Sequence, residues 1–135
     1  MRVTIKRAYE APARSDGRRI LVDRLWPRGL AKDAAKLDFW ARDVAPSNAL
    51  RHWYGHVPER WPEFQRRYFA ELDASADAVA ELRAQMGKGT VTFVFSSKEE
   101  RLNNAAALAI YLKKRRGRAT GRRPSAAGGG RASTR

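Results

Sequence analysis

The sequence contains no cysteine, which excludes disulfides, thiol nucleophiles, iron-sulfur clusters and any cysteine-ligated zinc. Histidine is almost as scarce, with only His52 and His56. They stand four apart, as two ligands on one helix face would, but Gly55 intervenes at an apparent helix end and no glutamate completes an H-E-x-x-H pattern. No metal and no resident cofactor are expected. The longest apolar run, Ala105 to Leu112, is far shorter than the roughly 20 residues a bilayer-spanning helix needs. The N-terminus alternates apolar and basic residues without a hydrophobic leader, so a cytoplasmic protein with no membrane partner is expected. A P-loop, a glycine-rich dinucleotide fingerprint and a G-x-S-x-G elbow are all missing.

What is present suits a single globular unit. The chain has 135 residues, 43% hydrophobic and 31% charged, within the range of one soluble domain. Lysine and arginine number 28 against 14 acids, and the excess is uneven. Residues 113–135 carry nine cations and no acid, leaving a body of net charge +5 over 1–112. From Arg116 the chain is built of Gly, Ala, Ser, Thr, Pro and Arg, with nothing large to bury against the entropy of ordering a backbone. The expected division is an α/β domain over 1–115 and a disordered basic tail over 116–135. Such a tail attracts nucleic acid non-specifically by counterion release, or serves only as a solubilising extension.

Hydrophobic patterning gives the elements. Val3 to Tyr9 partly alternates and predicts a strand, and Ile20, Leu21 and Val22 predict a second, buried one over 19–26. Leu37, Trp40, Ala41 and Val44 fall at helical spacing behind Asp33, predicting a first helix. Ser47 caps a second helix that Gly55 stops, Pro58 opens a third carrying Trp61, Phe64, Tyr68 and Leu72, and a fourth runs from Ser75 to Gly87. Thr90 to Ser96 is β-branched and aromatic, a third strand. Ser97 and Glu100, three apart, read as a capping box that opens the last helix. The predicted class is a small α/β protein with a mixed or mostly parallel sheet. The direction of the first two strands relative to each other stays open.

In such sheets ligands gather beyond the carboxyl ends of strands, near helix N-termini. Two segments qualify, Asp23 to Gly29 and Ser96 to Lys98. Arg24 and Arg28 are suited to bidentate capture of phosphate or carboxylate, with Trp26 as a flat face and Ser97 and Asn103 as orienting groups. Asp23 and His56 are the only candidate proton acceptors. The competing reading makes Asp23 an ordinary ion-pair partner of Arg24 or Arg7, and Ser97 a cap alone. Asn103 and Asn104 are poor helix formers in the first turns of a helix, which points one of them at the site. Three functions follow: binding of a small phosphorylated or nucleotide-like anion, with or without catalysis; association with nucleic acid through the basic tail; or a structural or regulatory role without catalysis, with dimerisation through the aromatic helix faces. Oligomeric state is not legible.

The segments DGRRILVDRLWPRG (16–29), LDFWARDVAPS (37–47), LRHWYGHVPERWPEFQRRYFAEL (50–72) and VTFVFSSKEERLNNAAAL (91–108), in this order, resemble the YeaO-like branch of the bacterial family called domain of unknown function 488. The resemblance spans most of 1–112. It implies one compact α/β domain in a bacterial cytoplasm and makes Asp23, Arg24, Trp26, Pro27, Arg28 and Gly29 the signature segment, with no assigned catalyst. Val57 and Asn104 depart from the pattern, standing where relatives often carry Asp and His.

Overall fold

A computed structural model describes residues 2–115; the segment expected to form a tail lies outside them. Four strands form one sheet, β1 (Arg2–Arg7), β2 (Arg18–Leu21), β3 (Phe39–Trp40) and β4 (Thr90–Phe95), in the order β1-β4-β2-β3. Every pairing is parallel, which settles the relative direction of the first two strands. β4, the strand most evident in the sequence, is central and pairs on both sides. Its side chains from Val91 to Phe95 are all buried, a run apolar except for Thr92, as expected of a strand covered on both faces.

The helices are α1 (Lys32–Ala35), α2 (Asn48–Tyr54), α3 (Trp61–Asp73), α4 (Ala76–Met86) and α5 (Asn104–Lys114). Strand alternation divides the core in two. Ile20, Val22, Val91, Phe93 and Phe95 face α2 to α5, meeting Leu50, Phe64, Tyr68, Leu82 and Leu108. Leu21 and Val94 point to the opposite face, where Trp26, Leu30, Leu37 and Trp40 cover them without a long helix. The segment 23–38, irregular apart from the short helix α1, thus covers this second face together with Trp40 of the edge strand β3.

The helix expected through Leu37, Trp40, Ala41 and Val44 does not form. Phe39 and Trp40 instead pair with Ile20 and Leu21 as the edge strand β3, and a single 3-10 turn follows at Arg42–Val44. The physical reason lies in the partition of side chains. Leu37 and Trp40 pack on one face of the sheet while Phe39, Ala41 and Val44 pack on the other, so the apparent helical spacing is a strand-like alternation run into a turn. The second and fourth helices match expectation, with Ser47 Oγ accepting from the Leu50 amide at 3.1 Å and Gly55 and Gly87 closing them at positive φ.

The last helix is also corrected. It starts at Asn104, and its N-cap is Asn103, whose Oδ1 accepts from the Ala106 amide at 2.9 Å. Ser97 instead closes a short turn, its Oγ accepting from the Glu99 amide at 2.9 Å. The capping-box pattern falls six residues before a better cap, the buried Asn103, whose Nδ2 also donates to the Glu99 carbonyl at 2.8 Å.

Between β1 and β2 the chain crosses under Thr92, whose hydroxyl donates to the Asp16 carbonyl at 2.8 Å. Gly17 is required there. Its φ is +66°, and an added Cβ would lie 2.1 Å from the Thr90 carbonyl oxygen. Asp16 is buried and holds Lys6 at 3.1 Å and Arg19 at 2.7 Å. Burial alone would raise its pKa, but the Ala13 amide, Lys6 and Arg19 together hold the carboxyl below the ordinary range.

Candidate functional site

The chain leaving β1, β2 and β4 converges at one end of the sheet on a hollow of about 580 Å³. This is the carboxyl end of the strands, where parallel sheets place ligands. β1 contributes Tyr9, β2 the run from Asp23 to Arg28, β4 Ser96 and Ser97, and α5 Asn104. Ala45, Pro46, Arg51, His52, Gly55 and His56, around α2, close the remaining side.

Asp23 holds the floor together. One carboxylate oxygen accepts from the Ser96 amide and hydroxyl, both at 2.8 Å, and the other from Asn104 Nδ2 at 3.1 Å. Among the described residues no cation lies within ion-pair distance of it. Arg7 donates to the Ser96 and Ser97 carbonyls instead, and Arg24 to the Ala45 and Pro46 carbonyls at 2.9 and 3.5 Å. Neither expected ion pair of Asp23 therefore exists, and neutral donors carry its charge.

Arg28 is different. It is exposed on the wall of the hollow, and no hydrogen bond or ion pair to a described residue uses its guanidinium. Its backbone is nonetheless fixed, because Tyr9 donates its hydroxyl to the Arg28 carbonyl at 2.9 Å. Trp26 lines the hollow but is anchored, donating Nε1 to the Leu30 carbonyl at 2.7 Å and meeting Trp40 edge-on at 5.5 Å. The Trp40 indole in turn donates to the Asp23 carbonyl at 2.7 Å.

Two buried tyrosines, neither lining the hollow, anchor the chain next to its lining residues Ala45 and Gly55. Tyr54 donates to the Leu102 carbonyl at 2.7 Å and Tyr68 to the Val44 carbonyl at 2.5 Å. Burial, and after it the Glu99 charge, raises the Tyr54 pKa, while burial and the nearby Glu71 raise that of Tyr68. Both remain protonated donors. Past α2, Gly55 and His56 both adopt left-handed backbone, at φ 51° and 59°. That double turn is strained at a residue with a Cβ. It leaves His52 and His56 on the same hollow.

The structure thus brings together Asp23, Arg24, Trp26, Arg28, Ser97 and His56. It leaves out Asn103, which is buried and uses both ends of its amide as a cap. Its neighbour Asn104 is the one that reaches the floor. Sequence reasoning missed Arg51 and Tyr9 and gave no individual role to Ser96 and Leu25, although both fall in the two segments it singled out; all four are also on the walls. Only Ser96 carried a signal, as the first polar residue after an apolar strand.

Among the described residues no helix is long and apolar enough to cross a membrane. The family model DUF488-N3i, described as the inactive DUF488-N3 subclade, matches residues 2–128. The chain is 47% identical over 114 residues to an uncharacterized protein of Mycobacterium tuberculosis, covering 84% of this chain and 96% of that one. It is 38% identical over 114 residues to the uncharacterized protein YeaO of Escherichia coli, covering 84% and 98% respectively. No solved structure matches it. With the family model matching residues 2–128 and these relatives aligned over nearly their whole length, the chain is a YeaO-like member of the domain of unknown function 488 family.

Proposed function

We propose that the strand-end hollow binds a small phosphorylated or nucleotide-like anion, and that the protein acts by binding it rather than by turning it over. The observation that carries this reading is Arg28, a guanidinium on the wall of the hollow with no partner among the described residues and with its backbone held in place by Tyr9. Arg24 adds a second cation: its Nε and Nη2 are engaged by carbonyls, while Nη1 is left for a ligand. Three arginines, Arg24, Arg28 and Arg51, line the hollow against one carboxylate, Asp23, a balance that favours an anion. Ser97 offers a further polar contact on the wall, and Asn103 acts through the loop it caps.

Binding without turnover is supported by the floor. The Ser96 hydroxyl donates directly to Asp23, with Asn104 rather than a titratable group on the other carboxylate oxygen. No imidazole stands between serine and acid, so the arrangement lacks the base that activates a hydroxyl nucleophile. The description of the matched family as an inactive subclade agrees with this reading.

Thermal-shift measurements on the full chain with inorganic phosphate, pyrophosphate and adenosine monophosphate test the proposal. A ligand in hundredfold excess over its Kd adds about 2.7 kcal/mol, a rise of several degrees in Tm. No rise with any of the three at millimolar concentration overturns it.

A further inference from the structure

Three large hydrophobic side chains are exposed among the described residues: Tyr9 at 47%, Leu25 at 64% and Ile110 at 37%. Two of the three, Tyr9 and Leu25, border the same hollow. Leu25 is the most exposed of them, and it sits between Arg24 and Trp26 in the signature segment. Exposed apolar side chains grouped at a site mark something that covers them. A free metabolite seated among Arg24, Arg28 and Asp23 accounts for the interior of the hollow but not for apolar groups projecting at its walls.

Charge narrows the partner. The walls carry Arg24, Arg28 and Arg51, with His52 and His56, against Asp23 alone, and the Asp23 carboxylate is already occupied by Ser96 and Asn104. The Arg7 guanidinium also lies 5.3 Å from the centre of the Tyr9 ring. Cations interleaved with an exposed aromatic and an exposed aliphatic side chain are the chemistry of single-stranded nucleic acid, in which phosphates repeat and each base offers an apolar face. An acidic peptide would satisfy the arginines but would leave Leu25 and Tyr9 without a flat partner.

We infer that the hollow takes one nucleotide of an unpaired nucleic-acid strand, its phosphate on Arg28 and Arg24, with the neighbouring base packed on Leu25 and Tyr9. This deepens the anion-binding reading and rests on it. It is distinct from attraction through the basic C-terminal segment, since it depends on uncharged side chains of the body and therefore persists at salt that screens non-specific contacts.

Fluorescence anisotropy of the full chain with a fluorescein-labelled ten-residue oligothymidylate, at about 0.3 M salt, reads the inference. Thymidine monophosphate is titrated in parallel by calorimetry. The oligonucleotide is expected to bind at least tenfold more tightly than the mononucleotide, and Leu25→Ala to remove about tenfold of the oligonucleotide affinity, a larger loss than the mononucleotide shows. Because Leu25 is exposed, the variant is expected to keep the wild-type Tm. Mononucleotide binding with no gain from the longer strand, or an oligonucleotide affinity indifferent to Leu25→Ala, overturns the inference and leaves the anion site standing. Absence of binding by either probe removes both.

Discussion

Asn104 and Asp23 meet although they stand 81 positions apart in the chain: the Asn104 amide donates at once to the Asp23 carboxylate at 3.1 Å and to the Val22 carbonyl at 3.0 Å. With the two bonds from Ser96, this contact ties the ends of β2 and β4 to the first turn of α5. Asp23 is therefore the organiser of the floor, and its removal should disturb stability and binding together. Asp23→Ala is expected to cost about 2 kcal/mol, from charge-assisted hydrogen bonds and the donors left unpaired, and Asn104→Ala about half as much. Urea unfolding curves measure both. Equal stability of wild type and Asp23→Ala would show that the floor is held elsewhere.

Asn103 rather than Ser97 caps the last helix. Asn103→Ala should lose about 1 to 2 kcal/mol, whereas Ser97→Ala should lose less, since its hydroxyl makes only local turn bonds with Glu99, accepting from the amide at 2.9 Å and donating to the carbonyl at 3.4 Å. The ranking matters more than either value. A larger loss at Ser97 would restore the capping box that the sequence suggests.

Asp16 gives the fold a dependence on acid. Its folded pKa lies below that of an ordinary carboxylate, so its stabilising contribution is complete above about pH 4 and is lost as the pH falls through the folded value. Asp16→Asn leaves the buried Arg19 and the half-buried Lys6 without their acid and should cost about 3 kcal/mol at pH 7. The gap between wild type and variant should narrow at pH 3. A gap of the same size at both pH values would mean that Asp16 does not act through its charge.

The six arginines of residues 116–135 should act apart from the hollow. Truncation after Arg115, which keeps the ion pair of Arg115 with Asp73 at 3.2 Å, is expected to abolish most low-salt binding to duplex DNA. The slope of log affinity against log salt should become shallower by about 0.9 for each phosphate that the shortened chain no longer neutralises. Mononucleotide affinity should not change. Duplex binding that survives truncation with its salt slope intact would place that affinity in the body.

Much of the architecture was legible, and the failures have physical causes. β4 could be read because burial on both faces demands an uninterrupted β-branched and aromatic run, and α2 because Ser47 and Gly55 mark its two ends by local chemistry. The stretch from Leu37 to Val44 could not. Its side chains serve opposite faces of a sheet whose partner, Ile20 and Leu21, lies far back in the sequence, and spacing alone does not tell a strand running into a turn from a helix. At the candidate site, Asp23, Arg24 and Arg28 were identifiable from their place after a strand. The choice between Asn103 and Asn104 required the true start of α5. The partners of Asp23 required the register of β4 beside β2, which fixes Ser96 next to it.

The central claim, that Arg28 is held ready for an anion rather than for the fold, is tested most directly by calorimetric titration of adenosine monophosphate into wild type and Arg28→Ala. The wild type is expected to bind one equivalent. The variant should bind about thirtyfold more weakly, the equivalent of about 2 kcal/mol for a charge-assisted contact, with its Tm unchanged. Equal affinity in the two proteins, or a variant whose weaker binding is matched by a lowered Tm, would contradict the account.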